Sequence, residues 1–503
     1  MKNLIEISRI VTKKKVRKIE IFDGSTLENK SSKFGEFYEA LVAGKFKNDR
    51  DAATFLYGCS PTDDKYRQLK SRFRKRLLNT LFFIDMNEPG ASGYDRAYFT
   101  SNKDWTLVKI LISNDAHNSA EELARQILNI AQRFRFADVI VNCCRILRRY
   151  AAEAGNSTEF EEYDRLIKQY SNVMEAEIRS EELFQRTKMN YISPASEIKE
   201  LTEQLSVYGD ALVGLSEMYD SPIILYNMYL VWVYRYEMLQ DYQAMLEVCS
   251  QAESYIEENP NYLQEDKVIT FHLKKMSAYL HIRDFKNGKI SAEKSLKIFP
   301  EGSDVWTLFM EYYLLLAFHT DNHINALAIF NQARSLANFK KMDNETREKW
   351  KVYEVYLAYF LENQAMDNPE LKAQSKKTFR VSRFLNEPIL HPRELRVFTV
   401  HLLVAQVLFL LDMKDYHDAA ERIDRLRSYA TKQLDRSENF RMIQFVRLLQ
   451  QLSKADFQLT ELSNTNKYYD RLIEHPFFYR GIINELEVVP YEKLWNYILA
   501  KVQ

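Results

Sequence analysis

From about residue 103 onward, apolar side chains recur at i, i+3, i+4 and i+7, segment after segment, with breaks of two to six residues. That period predicts helix after helix. Before it, shorter helical stretches are expected at 34–43, 49–57 and 64–84, the second from an Asn48/Asp49 cap. The third follows Ser-Pro-Thr-Asp-Asp, which supplies a proline, a capping hydroxyl and acids for the positive end of the helix. The run Arg-Lys-Ile-Glu-Ile-Phe-Asp-Gly-Ser at 17–25 reads as a short strand and turn. Residues 87–96, with two glycines and a proline, read as a linker. Residues 158–188 form one long amphipathic segment whose buried stripe is expected to be Phe160, Tyr163, Ile167, Tyr170, Met174 and Ile178. Its many acids argue against an anionic lipid surface as its partner.

In the middle of the chain the pattern repeats. The stretches 238–260, 281–300, 319–337 and 412–430, with a looser copy at 131–151, share one layout. Each is a helix end, a short polar turn around Asp, an aromatic or His, and a second helix. In such a hairpin, small residues early in the second helix let the backbones approach, and the aromatic after the turn is expected to fill the wedge between them. One hairpin cannot bury its apolar face alone, so stacking follows.

This layout resembles the tetratricopeptide-repeat family. The copy at 319–337 carries Ala326, Phe330 and Ala333 at small–aromatic–small positions. The copy at 281–300 matches with Tyr279, Phe285, Gly288, Ser295 and Pro300. The copy at 238–260 matches with Tyr236, Tyr242 and Ala252 but has Met245 where a small residue belongs, and the one at 412–430 keeps Tyr416 and Ala419. The repeats are longer than the family's, and its first-helix Trp-Leu-Gly pattern is absent. The resemblance therefore implies a degenerate solenoid, and the family's peptide-clamp residues do not carry over. The ending Pro-Tyr-Glu-Lys-Leu-Trp, Pro490 to Trp495, is similar to that of bacterial helical-repeat proteins. That likeness carries no function.

The expected fold is thus all-α: an irregular tetratricopeptide-like solenoid of stacked hairpins with a small, basic, mainly helical N-terminal domain. The expected divisions are 1–90, a basic helical module that resembles a helix-turn-helix or winged-helix unit; 103–197, a first hairpin plus the long helix; 198–475, the solenoid; and 476–503, a C-terminal cap over the last repeat.

Composition supports this picture. Gly (12) and Pro (11) are rare in 503 residues, and 46% of the chain is apolar, enough for a sizeable core. The four cysteines, Cys59, Cys143, Cys144 and Cys249, form no C-x-x-C pair, so neither zinc nor a disulfide framework is expected. Adjacent Cys143 and Cys144 point to different faces of a helix. A reducing, cytoplasmic setting fits them, and the N-terminus shows no apolar signal-peptide core. The longest apolar run, 402–411, is ten residues and reads as a buried core helix.

Charge sharpens the question. Lys plus Arg equals Asp plus Glu at 70 each, yet residues 1–84 hold 19 of the bases and only 10 of the acids. The excess concentrates at 65–76, where Lys65, Arg67, Lys70, Arg72, Arg74, Lys75 and Arg76 occur with no acid among them. On a helical wheel Tyr66, Leu69, Phe73, Leu77, Thr80 and Ile84 form one apolar seam, wrapped by these cations. Like charges at i, i+4 repel by a few tenths of a kcal/mol. Three explanations stay open: phosphates of a nucleic acid, docking on the acidic body in cis or in a second chain, or no partner.

No dinucleotide, phosphate-loop, zinc-protease or nucleophile-elbow motif occurs, so no catalytic residue, metal or cofactor is expected. His319 and His323 have i, i+4 spacing, but Thr-Asp-Asn between them makes a turn. The expected function is a non-catalytic scaffold binding proteins or peptides on the concave face of 198–475. The alternative is a nucleic-acid-binding regulator acting through residues 1–90, with the solenoid as sensor or oligomerisation domain. Self-association is open, and no membrane partner is expected.

Overall fold

A computed structural model describes residues 1–13, 33–82, 92–192, 198–336, 339, 342–364, 379–389, 391–462 and 465–502. The described residues are all helix, turn and connection, with no strand among them. They divide into two compact units: Met1–Glu182 with Gly214–Leu225 and Ile256–Glu265, and Leu183–Val213 with Tyr226–Tyr255 and Asp266–Gln503. The strand expected at 17–25 lies outside the described residues.

In the first unit, α1 (Lys2–Lys13), α2 (Lys33–Val42), α3 (Asp49–Tyr57) and α4 (Asp64–Leu81) share one hydrophobic core. The seam read from the sequence is the buried face of α4: Tyr66, Leu69, Phe73, Leu77 and Thr80 are all buried. Ile84 lies outside the described residues. Phe73 stacks on Phe37 with ring centroids 4.6 Å apart. The cap on α3 is as expected, the Asn48 side chain accepting from the amides of Arg50 and Asp51. Of the linker expected at 87–96, residues 87–91 lie outside the described residues and 93–96 are helical. Gly93 already begins α5 (Gly93–Ser113), because Ser92 caps it through the Asp95 amide.

A second core joins α5, α6 (His117–Phe134), α7 (Ala137–Glu153) and the front of α8 (Ser157–Ile192). Cys143 and Cys144 are both fully buried there, so α7 is covered on more than one face. On α8 the expected stripe holds only in part. Tyr163 is buried and Phe160, Ile167, Tyr170 and Met174 are half-buried, but Ile178 is 59% exposed. The buried face turns instead through Ala176, Glu177, Ser180, Leu183 and Thr187, and the boundary between the two units falls within this helix.

The second unit takes the first part of α9 (Ile198–Met218), the later part of α10 (Pro222–Met238), most of α11 (Tyr242–Glu258) and nearly all of α12 (Glu265–Ile282). It then runs through α13 (Phe285–Ile298), α14 (Asp304–His319), α15 (His323–Arg334), α16 (Asn344–Gln364) and short α17 (Val381–Asn386). It ends with α18 (Arg396–Asp412), α19 (Tyr416–Gln433), α20 (Phe440–Lys454), α21 (Asn466–Glu474) and α22 (Tyr491–Val502). Successive helices pack in pairs, α14 on α15, α18 on α19, α19 on α20.

One turn geometry joins the pairs. Asp115, Arg135, Gln240, Arg283, Asp321 and Lys414 all take φ between 56° and 59°, left-handed backbone without glycine. In each, the next residue's amide donates five positions back, as Asp241 does to Tyr236 (2.9 Å) and Asp415 to Leu410 (3.0 Å). That is the helix-ending motif usually made with glycine.

The small positions are tight. A Cβ on Gly288 would lie 2.3 Å from Leu316 Cδ2. The aromatic after each turn reaches further than the wedge of its own hairpin. Tyr242 stacks on His281, Phe285 on Tyr313, His323 on Phe360 and Tyr416 on Phe457, each a ring from the following helix or its end.

Helices α14 and α18 are buried almost all round. The apolar run of α18 extends beyond the ten residues read in the sequence. With the turn before it, Arg393–Asp412 is long and apolar enough to cross a membrane, but 89% of its most apolar window is buried. Gln406 is buried too, donating to the Phe384 carbonyl at 2.8 Å.

Candidate functional site

What covers α14 and α18 is the chain's own C-terminal segment. It lies against far more than the last hairpin, where the sequence placed it as a cap. Between α21 and α22, residues 475–490 run without regular helix except a single turn at Ile483–Glu485. Phe477, Tyr479 and the five consecutive residues Leu486 to Pro490 are buried. An apolar run of this kind, without helix, leaves its main-chain groups in need of partners.

Histidines of successive helices supply some of them. The Tyr479 amide donates to Nε2 of His281 on α12 at 3.0 Å, while Nδ1 of the same ring donates to the Ser277 carbonyl at 2.6 Å. An acceptor at Nε2 and a donor at Nδ1 fix a neutral tautomer. His319 at the end of α14 and His401 on α18 donate Nε2–H to the carbonyls of Glu487 (2.8 Å) and Leu486 (3.1 Å). Burial pushes the His319 ring down to about 3 and the His401 ring down to about 4, so both are neutral at pH 7. Phe477 lies between the rings of His281 and His319, with centroids at 5.1 and 4.7 Å.

Charge fixes the ends of the segment. Arg441 on α20 meets Glu487 (Nε to Oε1, 2.5 Å) and Glu492 (2.7 Å), and donates to the Leu472 carbonyl at 2.6 Å. The Arg441 and Glu487 side chains are 13% and 4% exposed. Burial works against the guanidinium, but the two glutamates outweigh it and hold Arg441 above its ordinary range; burial pushes Glu487 up despite Arg441. Within the segment, Arg480 pairs with Glu485 and donates to the Tyr191 carbonyl at 3.1 Å. On α22, Glu492 also meets Arg283 at 2.8 Å, Lys493 pairs with Asp321, and Tyr497 donates to Asp321 at 2.7 Å. The arrangement grips an extended polypeptide by backbone and side chain. It offers no activated nucleophile.

A second concavity, of about 620 Å3, is lined by Asp304, Thr307, Glu311, Asp343, Thr346 and Lys349 among others. Glu311 and Lys349 pair at 2.9 Å in its wall, 4% and 10% exposed. Burial raises the Glu311 carboxyl, and Lys349 works against that rise. Each charge is answered by the other, which reads as a structural pair. His319 and His323 do not converge: one faces the Glu487 carbonyl, the other stacks on Phe360 at 4.6 Å.

The basic residues singled out in the sequence all lie on α4. Lys65, Arg67, Arg72, Arg74 and Lys75 are exposed, while Lys70 and Arg76 are half-buried. Lys70 reaches Asp49 Oδ1 at 2.6 Å, which the Tyr66 hydroxyl also bonds at 2.7 Å. Burial acts against the Asp49 carboxylate, but these bonds outweigh it and hold its pKa down, at about 2. Arg67 meets Asp64 at 3.6 Å, and the Arg76 guanidinium sits 4.8 Å over the Phe34 ring. Among the described residues, Lys65, Arg72, Arg74 and Lys75 form no ion pair.

His281, His401, Arg441, Arg480 and Glu487 escape sequence reading because each has a partner 31 to 289 residues away. The one signal was polar residues inside apolar helices, His401 and Gln406 above all. Compared with protein-family models, curated proteins and solved structures, the chain matches none, so the groove that holds the segment 475–490 stands on its own geometry.

Proposed function

We propose that the protein is a non-catalytic, tetratricopeptide-like scaffold that binds extended polypeptide segments along the inner helices of its second unit. The recurring left-handed turns and the ring stacking from each hairpin to the next support the solenoid reading. A small basic N-terminal module, residues 1–90, is the matching proposal for the first four helices, which share a core of their own. The observation that carries the functional reading is the chain's own segment 475–490. It shows the chemistry such a surface offers a ligand: histidines for main-chain groups, slots for Phe477 and Tyr479, and Arg441 for a carboxylate. Partner segments of the same kind, extended, aromatic and carrying an acid, would compete for these positions.

Competition is the test. A fluorescent peptide with the sequence of residues 475–490 is titrated into the full chain and into a Phe477→Ala/Tyr479→Ala chain. The loosened chain is expected to bind the peptide at least tenfold more tightly than the parent. Equal or absent binding by a loosened chain that remains folded by circular dichroism removes the proposal.

The second reading, a nucleic-acid-binding regulator, draws on the exposed, unpaired Lys65, Arg72, Arg74 and Lys75. It requires binding of DNA or RNA that falls steeply between two salt concentrations and is lost in Arg72→Glu/Arg74→Glu. Fluorescence anisotropy with the full chain decides it.

A further inference from the structure

Helices α19 and α20 and the loop between them enclose a small cleft of about 130 Å3, lined by none of the residues of the segment 475–490. Three arginines converge on it, Arg427, Arg436 and Arg447, with Thr431 and Gln450 beside them over an apolar floor. No carboxylate lines it.

The arginines are held without being neutralised. The Gln450 amide oxygen, in the orientation this contact sets, accepts from Nε and Nη1 of Arg427 at 3.2 Å each. Arg447 donates to the Gln444 amide oxygen at 3.4 Å and lies 5.7 Å over the Tyr468 ring. Arg436 sits in a loop fixed by Asp435, whose carboxylate accepts from the amides of Ser437 (2.8 Å) and Glu438 (3.1 Å). That acid is engaged with the start of the next helix. Among the described residues, none of the three guanidiniums forms an ion pair.

Three like charges around one small space repel, and amide oxygens orient two of them without cancelling that repulsion. An anion in the cleft would. Three planar forks present more N–H donors than the two oxygens of a carboxylate can serve, which favours a tetrahedral, doubly charged group. The volume lies well below the roughly 300–1,000 Å3 of a drug-sized pocket, so a head group fits and a nucleoside does not. We propose that this cleft binds a phosphoryl group, as inorganic phosphate or as the phosphate of a small phosphorylated side chain.

Isothermal titration calorimetry on the full chain, in chloride at constant ionic strength, tests this with inorganic phosphate and, separately, O-phosphoserine. Saturable one-to-one binding of at least one of them is expected. Phosphate alone, or both equally, points to the free ion; tighter O-phosphoserine points to an esterified source. Arg427→Gln/Arg436→Gln alters two exposed side chains and should weaken binding at least tenfold with an unchanged melting temperature. Thr431→Glu keeps all three arginines but places a carboxylate among them, and should weaken binding as well. Absence of saturable binding to the parent, or equal affinity in both variants, overturns the site.

Discussion

Glu177 shows how much one side chain can shift the stability of a unit. It is 7% exposed, and its Oε1 accepts from Ser221 Oγ at 2.6 Å. Burial pushes the carboxyl up to about 7; Ser221 opposes the rise, and the charges of Asp138 and Glu181 add to it. The folded pKa lies above the unfolded one, so the folded state holds the extra proton between roughly pH 4.5 and 7. Stability is lost as pH rises through that window, on the order of 3 kcal/mol in full. Glu177→Gln keeps the acceptor and removes the titration. It is expected to melt above the parent at pH 8 and close to it at pH 5. Arg441 poses the opposite case, a charge whose partner is already present. Arg441→Met strands Glu487 and should cost about 3–5 kcal/mol in urea unfolding, most of it recovered by adding Glu487→Leu. No recovery in the double variant would mean that Glu492 and the carbonyls of Leu472 and His475, to which Arg441 also donates, depend on Arg441 more than Glu487 does.

Among the elements, periodicity alone located most helices, because a 3.6-residue apolar stripe reports local burial. The stripes failed where the neighbour changed. On α8 the face expected to run to Ile178 turns through Ala176 and Ser180 instead, where Glu177 between them meets Ser221 just before α10. The hairpin turns were placed correctly, but their geometry was hidden because none of the six left-handed residues is glycine. This predicts a gain. Lys414 and Gln240 are exposed at φ 56° and 57°, a conformation that costs a side-chain-bearing residue roughly 1 kcal/mol. Lys414→Gly and Gln240→Gly should each raise stability by about 0.5–1 kcal/mol, less the added freedom of the unfolded chain. Gly288 should respond the other way. Alanine there gains helix propensity but meets Leu316, which is fully buried and cannot swing clear, so Gly288→Ala is expected to lose about 1–2 kcal/mol. Thermal melts of these three variants separate turn strain from close packing.

Across the whole molecule, balanced composition concealed two kinds of information. The basic excess of residues 1–84 could be counted from the sequence, and five of its exposed members, Lys65, Arg67, Arg72, Arg74 and Lys75, lie on α4. The groove could not, because it exists only when the last thirty residues return to helices laid down as much as 289 positions earlier. The same long-range burial gives the two units opposite responses to acid. In the second unit His319 and His401, each 1% exposed, have folded pKa values near 3 and 4, below the unfolded value of 6.5. Their neutral forms are favoured by folding, so stability present above pH 6.5 is lost as pH falls toward 4, about 2 kcal/mol from each by pH 5. The first unit gains over the same interval, as Glu177 takes up its proton. Scanning calorimetry at pH 8 and pH 5, with limited proteolysis to assign the transitions, should therefore find the second unit's transition moving down relative to the first's by roughly 10 °C or more. His319→Gln/His401→Gln should reduce the loss on one side, the rest lying with His281 and His323, whose rings burial also pushes down to about 4, and Glu177→Gln should remove the gain on the other. A separation that is the same at both pH values in the parent would show that these buried groups do not set the acid response.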